Sequence, residues 1–183
     1  MSSFRIALID RVSHHKLEYF NYSAKNTITY TLWEHLVRIA RAIPGGFIPG
    51  PSWSLRPAHL AAHDVGVYFV LDPSESVAAK LGIAVPGGPT AGGLTATTSR
   101  GVVTEVYVDG NMPARRLANI AFHELMHNKL DVGYRAVSDI HRQGGLGLAS
   151  KPTEEWSPLT AQNIKLMSAN LVRSVRQYTG AMP

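Results

Sequence analysis

The chain's 183 residues are 45% hydrophobic and 17% charged, which excludes a disordered polymer and suits one compact unit. It has no cysteine, so disulfides and thiolate metal sites are excluded, and any metal must be held by His, Asp, Glu or water. The formal charge of +5 favours anionic partners at long range, but the Lys and Arg residues are scattered, which argues for a solvated basic surface over nucleic-acid binding.

The N-terminal stretch MSSFRIALIDRVSHH has no long apolar core followed by a small-residue cleavage site, so no Sec signal peptide is expected. No apolar run approaches the length of a membrane span. The expected location is cytoplasmic, or exported without a Sec signal.

Phe4 to Ile9 reads as a first strand or a packed arm. Thr31 is placed to cap a helix from Leu32 to Ala42, with Leu32, Leu36, Ile39 and Ile43 at helical spacing. Pro44 to Pro57, rich in proline and glycine, reads as loop, and Pro57 as the opening of a short helix through His63. Val65 to Leu71 is an unbroken apolar run that predicts a central strand. A short helix from Ser76 to Leu81 follows, then a surface loop from Pro86 to Gly93. Val102 to Val108 predicts another strand, and Ala114 to Leu130 a helix with Leu117, Ile120, Ala121, Leu125 and Met126 as its apolar set. Gly144 to Gly147 reads as loop. Thr160 to Tyr178 reads as a final helix, with Met167 in the core. Strands mixed with helices, closing on a helix, predict an α+β domain.

The chemistry is carried by His123-Glu124-Leu125-Met126-His127, an H-E-x-x-H motif. Residues four apart share a helix face, so two imidazoles reach one metal ion at about 2.0–2.1 Å. Glu124 stands beside the first ligand as a general base that takes a proton from water and returns it to a leaving amine.

This segment resembles the active-site helix of the zincin metallopeptidases, over about Val102 to Leu130. The resemblance implies a single zincin-like domain over 1–183, with a small mixed sheet, an active-site helix and a C-terminal helix. It implies zinc as cofactor and a polypeptide substrate; the small size, the lack of a signal peptide and the basic surface are also compatible with a toxin, effector or regulatory protease that cuts one specific protein. In zincins an edge strand near the active-site helix pairs with extended substrate. That role would fall on Val102 to Val108, with Thr104, Glu105 and Tyr107 lining the cleft. The longer metzincin pattern is broken, because Leu130 stands at its glycine position and Gly133 at its last ligand position. The tail keeps a weak metzincin likeness in Gly144 to Gly147 followed by a helix.

The third metal ligand is read as His141, the histidine downstream of the motif, just before Gly144-Gly145. Asp131 is the next choice, with a role beside His127 suiting it better, and Asp139, Glu154 and Glu155 remain alternatives. Tyr134 reads as an oxyanion donor or a packed tyrosine. His59 and His63 form another i, i+4 pair, read as ordinary helix-face residues; His14-His15 reads as exposed, and His35 as surface or core-edge. No nucleotide-binding glycine motif and no G-x-S-x-G elbow occurs. The alternative function is a non-enzymatic structural or nucleic-acid-associated module with an incidental H-E-x-x-H.

Overall fold

The computed structural model describes residues 2–54, 65–71, 73–85, 92–108, 112–130, 161–171 and 174–180. They form an α+β fold whose strands are β1 (Ser2–Asp10), β2 (Phe47–Ser54), β3 (Val65–Val70), β4 (Gly93–Thr98) and β5 (Gly101–Tyr107). The helices are α1 (Tyr22–Ala42), α2 (Val77–Lys80), α3 (Ala114–Leu130) and α4 (Ala161–Asn170). The strands make one mixed sheet in the order β2-β1-β3-β5-β4. All neighbours are parallel except β4, which runs antiparallel to β5.

Strand alternation sorts the side chains into two layers. Phe4, Ile6 and Leu8 of β1, Val67 and Phe69 of β3 and Val106 of β5 join the larger core. There they meet α1 through Ile28, Leu32, Leu36 and Ile39, and α3 through Leu117, Ala121 and Leu125. Met167 and Leu171 belong to the same cluster, so Met167 is a core residue. The intervening residues Ala7, Ile9, Tyr68, Val70, Val103 and Tyr107 face the other way, onto Val77 and Ala78 of α2 and onto Tyr178. Both faces of the central strands are therefore dry, which is why β3 reads as an unbroken apolar run.

Several elements differ from the sequence expectation. Helix α1 starts ten residues before Leu32, at Tyr22, because the Asn21 side chain accepts the Ala24 N–H at 3.0 Å and acts as the cap expected of Thr31. Thr31 lies buried inside the helix. Thr27 and Thr29 turn their hydroxyls onto the carbonyls of Ser23 and Lys25, at 3.1 and 2.9 Å, which accommodates the β-branched run. Within the expected loop Pro44 to Pro57, Phe47–Ser54 is strand β2, paired in register with β1 from Ser2↔Phe47 to Ile9↔Ser54. Pro49 and Pro51 are two residues apart, so their missing N–H groups fall on the same side of the strand. A strand with one neighbour among the described residues tolerates that. The final helix ends at Asn170, not Tyr178. Beyond it Gln177 forms a parallel bridge to Val102, with the Val102 N–H on the Arg176 carbonyl at 2.8 Å and the Tyr178 N–H on the Val102 carbonyl at 3.0 Å.

The expected edge strand is also displaced. β5 lies inside the sheet between β3 and β4, and among the described residues the edge beside it is β4. Thr104, Glu105 and Tyr107, expected to line the cleft, are accordingly buried. No helix among the described residues is long and apolar enough to cross a membrane.

Candidate metal centre on helix α3

Helix α3 has the bounds expected from its apolar spacing, and every residue from Leu117 to Leu130 is buried. A helix so enclosed would normally be apolar all round. This one instead buries Asn119, His123, Glu124, His127, Asn128 and Lys129. Polar groups taken out of water must be matched by partners, so these residues define where the helix does something besides packing.

His123 and His127 converge. Their Nε2 atoms lie 3.0 Å apart, with ring centroids 4.6 Å apart and planes at 80°. Two nitrogens bound to one tetrahedral ion at about 2.0–2.1 Å would stand about 3.3 Å apart, so a small ring rotation brings the pair to ligand geometry. The donor set fits zinc in kind, two imidazoles and no thiolate. Both rings are nearly enclosed, at 7% and 9% exposure, which keeps competing water low.

Glu124, next to His123, is also buried, and its carboxylate turns toward the edge strand. The Thr95 hydroxyl of β4 lies 2.9 Å from Glu124 Oε2 and 2.9 Å from the Glu124 carbonyl oxygen. This approach depends on Gly93. A Cβ there would sit 2.7 Å from Glu124 Cγ and 2.7 Å from the Glu105 carbonyl oxygen. At Gly92 a Cβ would meet Ile120 Cδ1 at 2.7 Å. The end of the expected Pro86–Gly93 loop is thus a glycine pair that lets β4 press onto the motif helix. Residues 86–91 lie outside the described residues.

One turn further on, Asn128 ties α3 to two other elements. Its amide donates to Thr104 Oγ1 and Gln177 Oε1, each at 2.8 Å, and the Gln177 amide donates back to Asn128 Oδ1 at 3.0 Å. On the opposite flank His35 of α1 is buried, not a surface residue, and its Nε2 lies 2.7 Å from Asn119 Oδ1. Burial holds the His35 ring below its ordinary pKa, and the Asn119 bond offsets part of that.

Glu105, expected in the cleft, sits across the sheet in a closed polar nest. It accepts from Ser76 Oγ at 2.7 Å, from the Ala78 N–H at 2.9 Å, from the Val77 N–H and from Tyr107 Oη at 3.1 Å. Burial pushes the Tyr107 phenol well above its ordinary range and the Glu105 charge adds to this, so the phenol stays a donor.

The rings of His123 and His127 are therefore brought together on α3, while the Glu124 carboxylate of the same helix lies on the Thr95 hydroxyl. His141, Asp131, Asp139, Glu154, Glu155, Tyr134, His59 and His63 lie outside the described residues. Thr95, Gly93, Asn128 and Gln177 support the site without having been singled out in the sequence. Comparison with protein-family models, with curated proteins and with solved structures finds no match to this chain.

Proposed function

We propose that this chain is a zinc-dependent metallopeptidase, with His123 and His127 as two metal ligands and Glu124 as general base. The observation that supports this reading is the 3.0 Å approach of the Nε2 atoms of two buried histidines one turn apart, on a helix whose motif glutamate, Glu124, is buried as well. Zinc, when bound, supplies a polarising charge that activates water and a carbonyl oxygen. Glu124 accepts the proton of the attacking water and passes it to the leaving amine nitrogen. Thr95 holds the Glu124 carboxylate in place for that transfer. His141 is proposed as the third ligand, with Asp131, Asp139, Glu154 and Glu155 as the alternatives to be separated by mutation. The proposed substrate is an extended polypeptide laid along β4, whose outer edge has no strand neighbour among the described residues.

Elemental analysis tests the metal site, and cleavage of an unstructured protein such as casein tests the reaction. About one zinc per chain is expected at the α3 centre, and total bound zinc should fall by that one equivalent in His123→Ala and in His141→Ala. Glu124→Gln should keep the metal and lose hydrolysis by roughly 10²–10⁴-fold. Metal with no casein cleavage, but one cleaved protein in a lysate, would narrow the reading to a single-target protease.

One observation favours a second reading. Two neutral imidazoles at 3.0 Å also satisfy each other by one N–H···N bond, so the pair serves equally as a polar lock in a non-enzymatic module. Zinc titration that leaves the His123 and His127 ring resonances unmoved would select that reading.

A further inference from the structure

We infer that the chain carries a second transition-metal site, independent of α3, formed by His14, His15 and Glu75. The ligand atoms of these side chains all lie within 4.8 Å of one another. His15 Nε2 is 2.8 Å from Glu75 Oε1, and the two imidazole centroids are 3.9 Å apart. Imidazole nitrogens with one carboxylate select a borderline ion such as Zn(II), Ni(II) or Cu(II) over calcium or magnesium.

The topology explains why these residues meet. His14 and His15 lie on a 3-10 turn, Ser13–His15, after β1, and Glu75 on another, Pro73–Glu75, after β3. β1 and β3 are parallel neighbours paired through Asp10↔Phe69, so both turns rise from the same end of the sheet. The chain leaves β1 toward β2 on one side and β3 toward β5 on the other. Such a divergence opens a crevice at the carboxyl ends of parallel strands. A pocket of about 240 Å³ lies there, lined by Arg11, His14, Ser74, Glu75, Val77 and Lys80.

Both turns are held in advance. Asp10 Oδ1 accepts the Val12 and Ser13 N–H groups at 2.8 and 2.9 Å, and Lys25 and Ser13 Oγ close on its other oxygen. Behind Glu75, Ser76 is anchored by its bond to buried Glu105. Ligands on fixed turns lose little freedom on binding. His14 is exposed and His15 and Glu75 are partly exposed, so the side chains can close the last ångström and leave coordination positions open to solvent. Arg11 and Lys80 border the same pocket; their charge opposes a bare dication and favours an anion as its co-ligand in those open positions.

Zinc chloride titrated calorimetrically into the full chain, and into His14→Ala/His15→Ala, Glu75→Gln and His123→Ala variants, tests the site. Wild type should take up one more equivalent than His14→Ala/His15→Ala. Glu75→Gln should weaken that equivalent at least about ten-fold, the loss typical even of an outer-shell partner. His123→Ala should retain it, which separates this site from the α3 centre. Should His123→Ala not fold, the His14 and His15 ring resonances of the wild-type chain supply the readout, moving as the additional equivalent binds. Equal stoichiometry and affinity in wild type and His14→Ala/His15→Ala, or rings that do not respond to zinc, would overturn the assignment.

Discussion

The hydroxyl of Thr95 stands 2.9 Å from the carboxylate of Glu124, joining the edge strand to the residue proposed as general base. The same hydroxyl is equally close to the Glu124 carbonyl, so its single proton is shared between two acceptors of that residue. A carboxylate held this way spends little time in other rotamers, as the proposed role of general base requires. Thr95→Val removes the hydroxyl while keeping the shape. Peptidase kcat should fall about ten-fold, equivalent to about 1.4 kcal/mol, with KM little changed. Thr95→Ser should restore most of the rate. A Thr95→Val enzyme with wild-type kcat would show that the bond only braces β4.

Gly93 makes that contact sterically possible. With a Cβ 2.7 Å from backbone oxygen of Glu105 and 2.7 Å from Glu124 Cγ, Gly93→Ala must push β4 off either β5 or α3. Overpacking of this kind costs about 1–3 kcal/mol, which urea denaturation would register as a lower midpoint with an unchanged slope.

The parts legible in the sequence are those whose local signal matches their final environment. β3 is a continuous apolar run because both its faces are buried, β5 is dominated by β-branched residues, and α3 combines helical spacing with the H-E-x-x-H motif. β4 was not legible, since Gly93–Thr98 has little apolar alternation and gains its place from pairing with β5. β2 was hidden by Pro49 and Pro51, which signal loop except on an edge. The first turns of α1 were hidden by Thr27, Thr29 and Thr31, whose propensity is overridden by Asn21 capping and by burial of Ala24 and Ile28. Of the site, the motif showed which residues share a helix face. It gave no sign of Thr95 or Asn128, whose partners lie on other elements distant in sequence, nor of Glu75, which meets His15 through β1–β3 pairing.

Asn128 and Gln177 form a reciprocal amide pair that ties the C-terminal segment to the motif helix next to His127. Removing either partner leaves the other's buried amide oxygen without its donor, at a cost of about 1–3 kcal/mol, while its NH2 keeps a bond to Thr104 or to the Val175 carbonyl. Asn128→Ala should cost more than Gln177→Ala, because it also strips Thr104 of its donor. Since the two residues share bonds, the double variant should be less destabilised than the sum, with a coupling of about 0.5–3 kcal/mol by chemical denaturation. Strict additivity would mean that the pair contributes no mutual stability.

His35 adds a pH dependence with a defined sign. Its ring is buried against Phe122 and its pKa lies below the ordinary 6.5, with desolvation the main cause. The folded chain therefore favours the neutral ring, and as pH falls through 6.5 the unfolded chain takes up the proton first. Stability from this group is present above pH 6.5 and is lost progressively as pH falls toward the depressed folded value. The slope it contributes approaches, at most, about 1.4 kcal/mol per pH unit. His35→Gln offers an amide toward Asn119 and cannot titrate, so the difference in stability between pH 7 and pH 5 should shrink in that variant. If the wild type and His35→Gln lose stability in parallel over that range, another group carries the acid sensitivity.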